Sequence, residues 1–393
     1  MIADQNVLPR VAAEPRRRLL RPGWWRRAVA RAAFATAAGW LLLLTAHLVV
    51  SGRTWRWAPI DLMPPILLLA VPAALLLAVP LARPYRWRMA VVLVAAAALG
   101  AGSSGVNPAA LWHDPPPAPP GAITVVSWNT EFWDQEFRTT GGRGFEPDFY
   151  RHLRDLDADV YLLKEYLYLD DAAPTVHEKA VRIDKLARLR EEFRGYEIVM
   201  DGEQITLSRL PVVRHAGLDI RPWLPPDLRE VPAALRAFPS SYTVETQRVD
   251  VRVDGAVLSF YNTHVHQPPH EMLPLRAEQR AANRYNHSRR VASFRALGAD
   301  VAANPNPVVV GADLNTSPAM GILRELPDRL VDHTAAIPSL YPWTWMVGGY
   351  PVWRIDWVLS TPDVAVHRYE LLDPAGMSDH RALRVVLSTK RST

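Results

Sequence analysis

Several apolar, strand-like runs in this chain finish on strong polar groups. ITVVSWNTEFW closes on Asn129 and Glu131, DVYLLKEY on Glu165, SFYNTHVHQ on His264 and His266, and VVVGADLN on Asp313 and Asn315. RIDWVLS carries Asp356, and GMSDHRAL places Asp379 and His380 just before the last such run. Side chains two apart on a strand share a face, so Asn129 should project with Glu131, His264 with His266, and Asp313 with Asn315. Polar groups recurring at strand ends predict one site at the rim of a sheet, where loops expose what the scaffold positions. Oxygen ligands such as Glu165 and Asp379 suit a hard divalent ion, most naturally Mg²⁺. A histidine with an aspartate to orient its ring suits phosphate chemistry or acid/base work. Zinc is disfavoured, because the chain has no cysteine and His264 with His266 are too few ligands. Each position alone also has a plainer reading as a turn or cap. Asn315, followed by Thr316, Ser317 and Pro318, equally suits the start of a helix.

The elements that must hold these groups alternate between strand and helix patterns. Strands are predicted at ITVVSW, DVYLLKEY, YEIVM, QITLSRLPV, VVVGADLN, RIDWVLS, VAVHRYELL and RALRVVLS. Helices are predicted at PDFYRHLRDLDA, at EKAVRIDKLARLREEF and over most of 274–304. Asp254 and Gly255 between two β-rich runs signal a hairpin. Hairpins mixed with strand–helix–strand units argue for an α/β (α+β) domain with mixed sheets rather than a purely parallel one.

The first hundred residues differ in kind. Apolar runs over 32–50, 62–82 and 89–111 each approach the roughly 20 residues of a spanning helix. Pro64, Pro65, Pro72 and Pro80 make the middle one the weakest. Arg16, Arg17, Arg18, Arg21, Arg26 and Arg27 precede the first run, while Arg83, Arg86 and Arg88 fill the second loop. Basic flanks face the cytoplasm, so three spans would place everything after the third outside. The domains expected are a basic cytoplasmic N-terminus (1–27), a three-helix transmembrane region (28–111), a Pro-rich linker (112–121) and a catalytic domain (122–390). A cleaved signal peptide is the competing reading of the first run, but that run exceeds a usual h-region of about 7–15 residues. The net charge of +5 owes much to the N-terminal arginines and is poor evidence for nucleic acid.

The motifs SWN, KEY, ITLSRLP, NTHVH, GADLN, RIDWVL and SDH, in that order over 123–387, resemble the endonuclease/exonuclease/phosphatase superfamily. The resemblance implies a four-layer sandwich, two mixed β-sheets flanked by helices, here preceded by three transmembrane helices. It implies Glu165 as the main metal ligand, with Asn129 and Asp379 completing the metal and phosphate environment, and Mg²⁺ as the ion with Mn²⁺ as a substitute. Asp313 would position or deprotonate the attacking water, and Asn315 would hold a phosphoryl oxygen. His380, its ring fixed by Asp356, would contact the phosphate, and His264 would assist the leaving group. Two departures stand out: Ala312 beside Asp313 in GADLN, where the family has Gly-Asp-x-Asn, and Lys164 where a Gln usually precedes the metal Glu. Glu131 is a secondary ligand candidate. Three spans ahead of such a domain also resemble bacterial membrane phosphohydrolases associated with teicoplanin-type glycopeptide resistance.

The function expected is a membrane-anchored, Mg²⁺-dependent hydrolase of a phosphate ester or pyrophosphate at the outer face of the membrane, with lipid-linked phosphates among the candidate substrates. A surface nuclease is the alternative. It would need a basic groove, and Arg276, Arg280, Arg284, Arg289 and Arg290 form the one dense candidate, which also reads as a solvated helix face. A non-catalytic membrane scaffold or sensor is the third reading, opposed by the like-charge repulsion of so many carboxylates kept together without a metal. The aromatic run 341–353 reads as core or loop packing.

Overall fold

The computed structural model describes residues 23–83, 85–112, 115–135, 145–170, 180–270, 272–347 and 349–390. Two six-stranded mixed sheets lie face to face. The first runs in the order Val364–Leu372, Ala382–Thr389, Ile123–Asn129, Val160–Lys164, Gln204–Ser208, Glu197–Asp201, and only the Ile123–Asn129 and Val160–Lys164 pair is parallel. The second runs Val331–Asp332, Asp356–Ser360, Val308–Asp313, Ala256–His264, Val244–Val253, Val212–Asp219, with Ala256–His264 and Val308–Asp313 parallel.

The central strands read as continuous apolar runs because both of their faces are covered. Val125, Leu162, Phe260, Val309, Val358 and Leu383 fill the space between the sheets. Behind the first sheet, Trp128, Tyr161 and Leu163 pack on the helix Asp148–Asp155 and on Leu189 of the helix Leu186–Glu192. Behind the second, Tyr261, Val310 and Trp357 pack on Phe294, Leu297 and Val301 of the helix Ala277–Ala303. Helix, sheet, sheet and helix thus form four layers. At Gly311 a Cβ would sit 2.6 Å from Leu162 Cδ1 and 2.9 Å from Ser127, so glycine here lets the two sheets close beneath the strand ends. The hairpin at Asp254 and Gly255 forms, with φ of 48° and 85°, the left-handed pair that a tight primed turn requires.

Two local expectations are corrected. Of the helix predicted at 178–193, only Leu186–Glu192 is helical among the described residues, and Ala180–Arg182 pairs with Leu167–Leu169 in a small hairpin. The Asp184 carboxylate accepts the Leu186 N–H, which favours a turn there and starts the helix late. No helix begins at Asn315 either; residues 314–320 form a turn ahead of the 3₁₀ segment Gly321–Glu325.

The N-terminal region is also corrected. Among the described residues one helix, Trp24–Val50, is long and apolar enough to cross a membrane. The proline-rich second run breaks into Ala58–Asp61, Leu67–Leu76 and the 3₁₀ turn Val79–Leu81. The third is an α-helix only over Arg86–Ala101; its 16 residues reach about 24 Å, short of a hydrocarbon core of about 30 Å. The expected multi-pass topology therefore lacks two of its three spans. Arg16, Arg17, Arg18 and Arg21 of the basic flank, and His113 and Asp114 of the linker, lie outside the described residues.

These helices pack on one another and onto the sandwich. Buried His47 lies with Nε2 2.7 Å from the Ala319 carbonyl and accepts from Trp57 Nε1 at 3.0 Å, so Nε2 carries the proton. Ser51 Oγ accepts the Gly321 N–H at 2.6 Å, and Asn107 Nδ2 donates to the Thr334 and Ile337 carbonyls.

Candidate active site

Strand register assembles half of the site directly. Asp313 stands opposite His264 on one neighbouring strand and opposite Asp356 on the other. His264 Nε2 lies 3.6 Å from Asp313 Oδ2, and His380 Nε2 lies 3.7 Å from the same oxygen. His380 Nδ1 bonds Asp356 Oδ2 at 2.9 Å, and Asp356 is itself fixed by the Thr344 hydroxyl, which accepts its N–H at 3.1 Å. The closest group of ligand-type atoms is Asp313, Asp356 and His380, all within 4.8 Å.

The other half grows from the first sheet. Asn129 Nδ2 donates to Glu165 Oε1 and to Asp313 Oδ2, both at 3.0 Å, and so joins the two sheets. Glu165 Oε2 accepts the Phe132 N–H at 3.0 Å. Asp379 joins the group through Glu131, whose carboxylate accepts the Asp379 N–H while its own N–H bonds Asn129 Oδ1. All eight expected site residues, Asn129, Glu165, His264, Asp313, Asn315, Asp356, Asp379 and His380, therefore converge at the same end of the two sheets.

The expectation that residues two apart share a strand face fails at this rim. The strands stop at Asn129, His264 and Asp313, and the next residues leave the pleat. Glu131, Glu165 and Asn315 have φ of 51°, 60° and 47°, conformations that cost L-residues energy and gather at functional sites. Asn315 still reaches back to the site, its Nδ2 donating to the Val265 carbonyl at 2.9 Å and standing 3.3 Å from His264 Nε2. His266 turns away and meets Asn286 of the long helix.

The charges reinforce one another. Asp313 is buried, which alone would raise its pKa, yet His380, His264, the Asn129 amide and the Asn315 N–H hold it below the ordinary carboxylate range. Burial opposes charging His380, but Asp356 and Asp313 keep the ring well above an ordinary imidazole. His264 is likewise pushed up to about 10 despite burial, chiefly by Glu203. Glu165 moves the other way: burial, with the charge of Glu203 adding to it, raises it to about 7. Lys164 lies beneath the group, donating to Ser127 Oγ and the Leu162 carbonyl, and burial lowers it to about 7 although Asp356 and Asp313 pull the other way.

Four contributors escaped sequence reasoning. Glu203 bonds His264 Nδ1 from the turn between two strands, and no periodicity marks it. Ser378 accepts the His380 N–H and donates to the Asn129 carbonyl; its place in SDH was the available signal. Thr344 and Trp345 come from the aromatic run read as packing. Trp345 Nε1 donates to Asp379 Oδ2 at 2.8 Å, and its ring lies 6.2 Å from that of His380. The five-arginine stripe is corrected in turn: Arg289 and Arg290 are buried, Arg289 on Glu245 and the Tyr242 carbonyl, Arg290 on the His266 carbonyl and Thr316. Neither is part of a solvated face or a phosphate groove.

A model of the Endonuclease/Exonuclease/phosphatase family matches residues 80–380, most of the chain. The chain belongs to that family. Its enzymes are metal-dependent phosphoric ester hydrolases, and the acidic and histidine cluster at the sheet rim accords with a divalent cation. The match starts upstream of the resemblance over 123–387 and takes in the helix Arg86–Ala101. No curated protein matches. Similar solved structures include truncated Caenorhabditis elegans TDP2 (18% identity, 68% of this chain and 97% of that one, TM-score 0.43). An endonuclease/exonuclease/phosphatase from Bacteroides vulgatus (14%, 68% and 99%, 0.47) and the human Nocturnin catalytic domain (14%, 70% and 96%, 0.44) are others. Membership rests on the family match.

Proposed function

We propose that this protein is a membrane-anchored, Mg²⁺-dependent phosphohydrolase that cleaves a phosphate ester or pyrophosphate carried on a lipid. The observation that carries the chemistry is the convergence of a charged His264, a charged His380 and an ionised Asp313 on one oxygen-lined rim. Glu165, Asn129 and Asp379 would hold the ion. The donor set fits it, since these groups offer oxygen ligands and Glu165, raised to about 7 by burial with Glu203 adding to it, is a buried carboxyl whose charged form a cation would favour. His380 within the closer Asp313, Asp356 and His380 group is protonated and spends Nδ1 on Asp356, so it is a poor ligand. When bound, Mg²⁺ offsets phosphate charge as a Lewis acid.

The remaining roles follow from the chain's own groups. Asp313, ionised at neutral pH, accepts a hydrogen bond from the attacking water and takes its proton. His264 Nε2 and Asn315 Nδ2 stand 3.3 Å apart and are both donors while His264 is charged. Two donors so placed converge on one acceptor, which a phosphoryl oxygen supplies. His380, its ring direction set by Asp356, faces the same space as a second cation.

Anchoring is supported by Trp24–Val50, whose most apolar window is only 17% buried, and by exposed Leu42, Val49, Val91 and Val94 on the helices beside the domain. A single crossing with the arginine-rich flank inside still leaves the domain outside the cytoplasm. The His47 to Ala319 and Ser51 to Gly321 contacts favour a retained anchor over a cleaved leader. Burial of Arg289 and Arg290 removes support for the nuclease reading.

The test uses the full chain in detergent with bis(p-nitrophenyl) phosphate, duplex DNA, phospholipids and a polyprenyl pyrophosphate, each with Mg²⁺ or chelator. Metal-dependent turnover strongest on the lipid-linked pyrophosphate or phospholipid is expected. Turnover confined to DNA, or undiminished by chelator, would reject the reading.

A further inference from the structure

Arg290 is 2% exposed in the middle of the long helix Ala277–Ala303, yet its guanidinium serves neither that helix nor a surface ion pair. Its Nη1 donates to the His266 carbonyl at 2.6 Å and lies 3.5 Å from the Leu314 carbonyl, and its Nη2 donates to Thr316 Oγ1 at 2.5 Å. The Thr316 hydroxyl in turn donates to the Leu314 carbonyl at 2.6 Å. Arg290 therefore staples two backbone segments that share no strand ladder beyond Asp313 and His264, namely 264–266 and 313–316. Those segments carry His264, Asp313 and Asn315.

A buried guanidinium needs compensating charge. Glu245, Asp61 and Asp313 are the carboxylates whose charge favours the Arg290 guanidinium, each across space rather than through an ion pair. Glu245 is taken up by Arg289 and Ser293, and Asp313 by the site. Asp61 comes from elsewhere in the chain, the segment between the apolar helices Trp24–Val50 and Leu67–Leu76. Asp61 and Arg290 line one cavity of about 20 Å³ with Trp55, His287 and Met320. Asp61 is in turn held by the Ser51 hydroxyl, and Ser51 Oγ accepts the Gly321 N–H just beyond the 313–316 turn.

We propose that Arg290 is a positioning residue for the phosphohydrolase site and that Asp61, in the membrane-proximal segment, sets its guanidinium. The pair makes correct site geometry depend on docking of the N-terminal region. The inference rests on the hydrolase reading only in needing a turnover to measure.

The experiment compares full-length wild type, Asp61→Asn, Arg290→Lys, Arg290→Met and the double variant Asp61→Asn/Arg290→Met in detergent. Hydrolysis of bis(p-nitrophenyl) phosphate with Mg²⁺ is read beside thermal melts. Asp61→Asn is nearly isosteric and should fold with a melting temperature close to wild type, while kcat falls about 10-fold at unchanged KM, as expected of a small misplacement. Arg290→Lys keeps the charge without the fork and should recover part of what Arg290→Met loses. The double variant should be no worse than Arg290→Met alone. Wild-type kcat in Asp61→Asn, or additive losses in the double variant, would overturn the proposal, as would a lowered melting temperature with unchanged kcat in both Arg290 variants. An inactive wild type instead rejects the hydrolase reading, so the two failures are distinguishable.

Discussion

The two sheets build their halves of the site differently. The second sheet places His264, Asp313 and Asp356 by register on three adjacent strands, where the ladder fixes each Cα. The first sheet contributes Asn129 at a strand end, but Glu131 and Glu165 lie past the ladder at positive φ and are held by hydrogen bonds to Asn129 and to the Asp379 and Phe132 N–H groups. The register-built half holds charges that stabilise one another. The loop-built half collects acidic groups, and burial, with Glu203 adding to it, pushes Glu165 up although His264 and His380 pull the other way. In the proposed function the loop-built half takes the cation and the register-built half the water and phosphate.

The sharpest break of the register-built half is Asp313→Asn, which keeps an acceptor for Asn129 and removes the proton acceptor. kcat should fall about 10³-fold with a similar melting temperature, read on any substrate the wild type turns over. Next comes Asp356→Asn, which retains a hydrogen bond to His380 but removes the nearest charge raising that ring. Wild-type His380 stays protonated through neutral pH, whereas the variant ring should lose its proton as pH rises past the ordinary imidazole range. The variant's kcat deficit should therefore be about 10-fold greater at pH 8 than at pH 6, and an equal deficit at both would detach His380's charge from turnover.

How legible each half was follows from the same division. The motifs NTHVH, GADLN and RIDWVL sit at strand ends, so alternation and apolar runs located His264, Asp313 and Asp356. The face-sharing rule failed one or two residues later, at Glu131, His266 and Asn315, because the pleat ends there and φ changes sign or the chain turns to the long helix. Glu203 and Thr344 were invisible for another reason: their roles depend on contacts across 61 and 12 residues that no local pattern encodes. The same blindness covered Arg289 and Arg290, whose helical spacing suggested a solvated stripe although tertiary partners bury them. Composition located the apolar runs but not their division by proline, so among the described residues one helix of spanning length stands where three were expected.

The loop-built half is tested by Glu165→Gln. Its carboxyl is raised from 4.5 to about 7 in the folded chain, so protonation favours the metal-free fold. That contribution is fully present below about pH 4.5 and is lost as pH rises through about 7. In chelator the variant should therefore be more stable than wild type at pH 8, on the order of 2 kcal/mol, and similar to it at pH 5. Mg²⁺ should stabilise wild type against heat and leave the variant unmoved. A variant still stabilised by Mg²⁺ would move the ion to other ligands.

The smallest effect expected lies where the halves meet, at Glu203. Its carboxylate bonds His264 Nδ1 and is the main influence lifting that ring from 6.5 to about 10 against the opposing effect of burial. Because the folded pKa is the higher one, the pair's stabilisation is complete below about pH 6.5 and disappears as pH rises through about 10. Glu203→Gln in chelator should cost on the order of 1 kcal/mol near pH 6.5 and close to nothing near pH 10, read as denaturant midpoints at the two pH values. A loss independent of pH would mean that Glu203 acts through packing of its turn, and His264 would then owe its charge to Asp313 and Glu165, tying both halves together through that one ring.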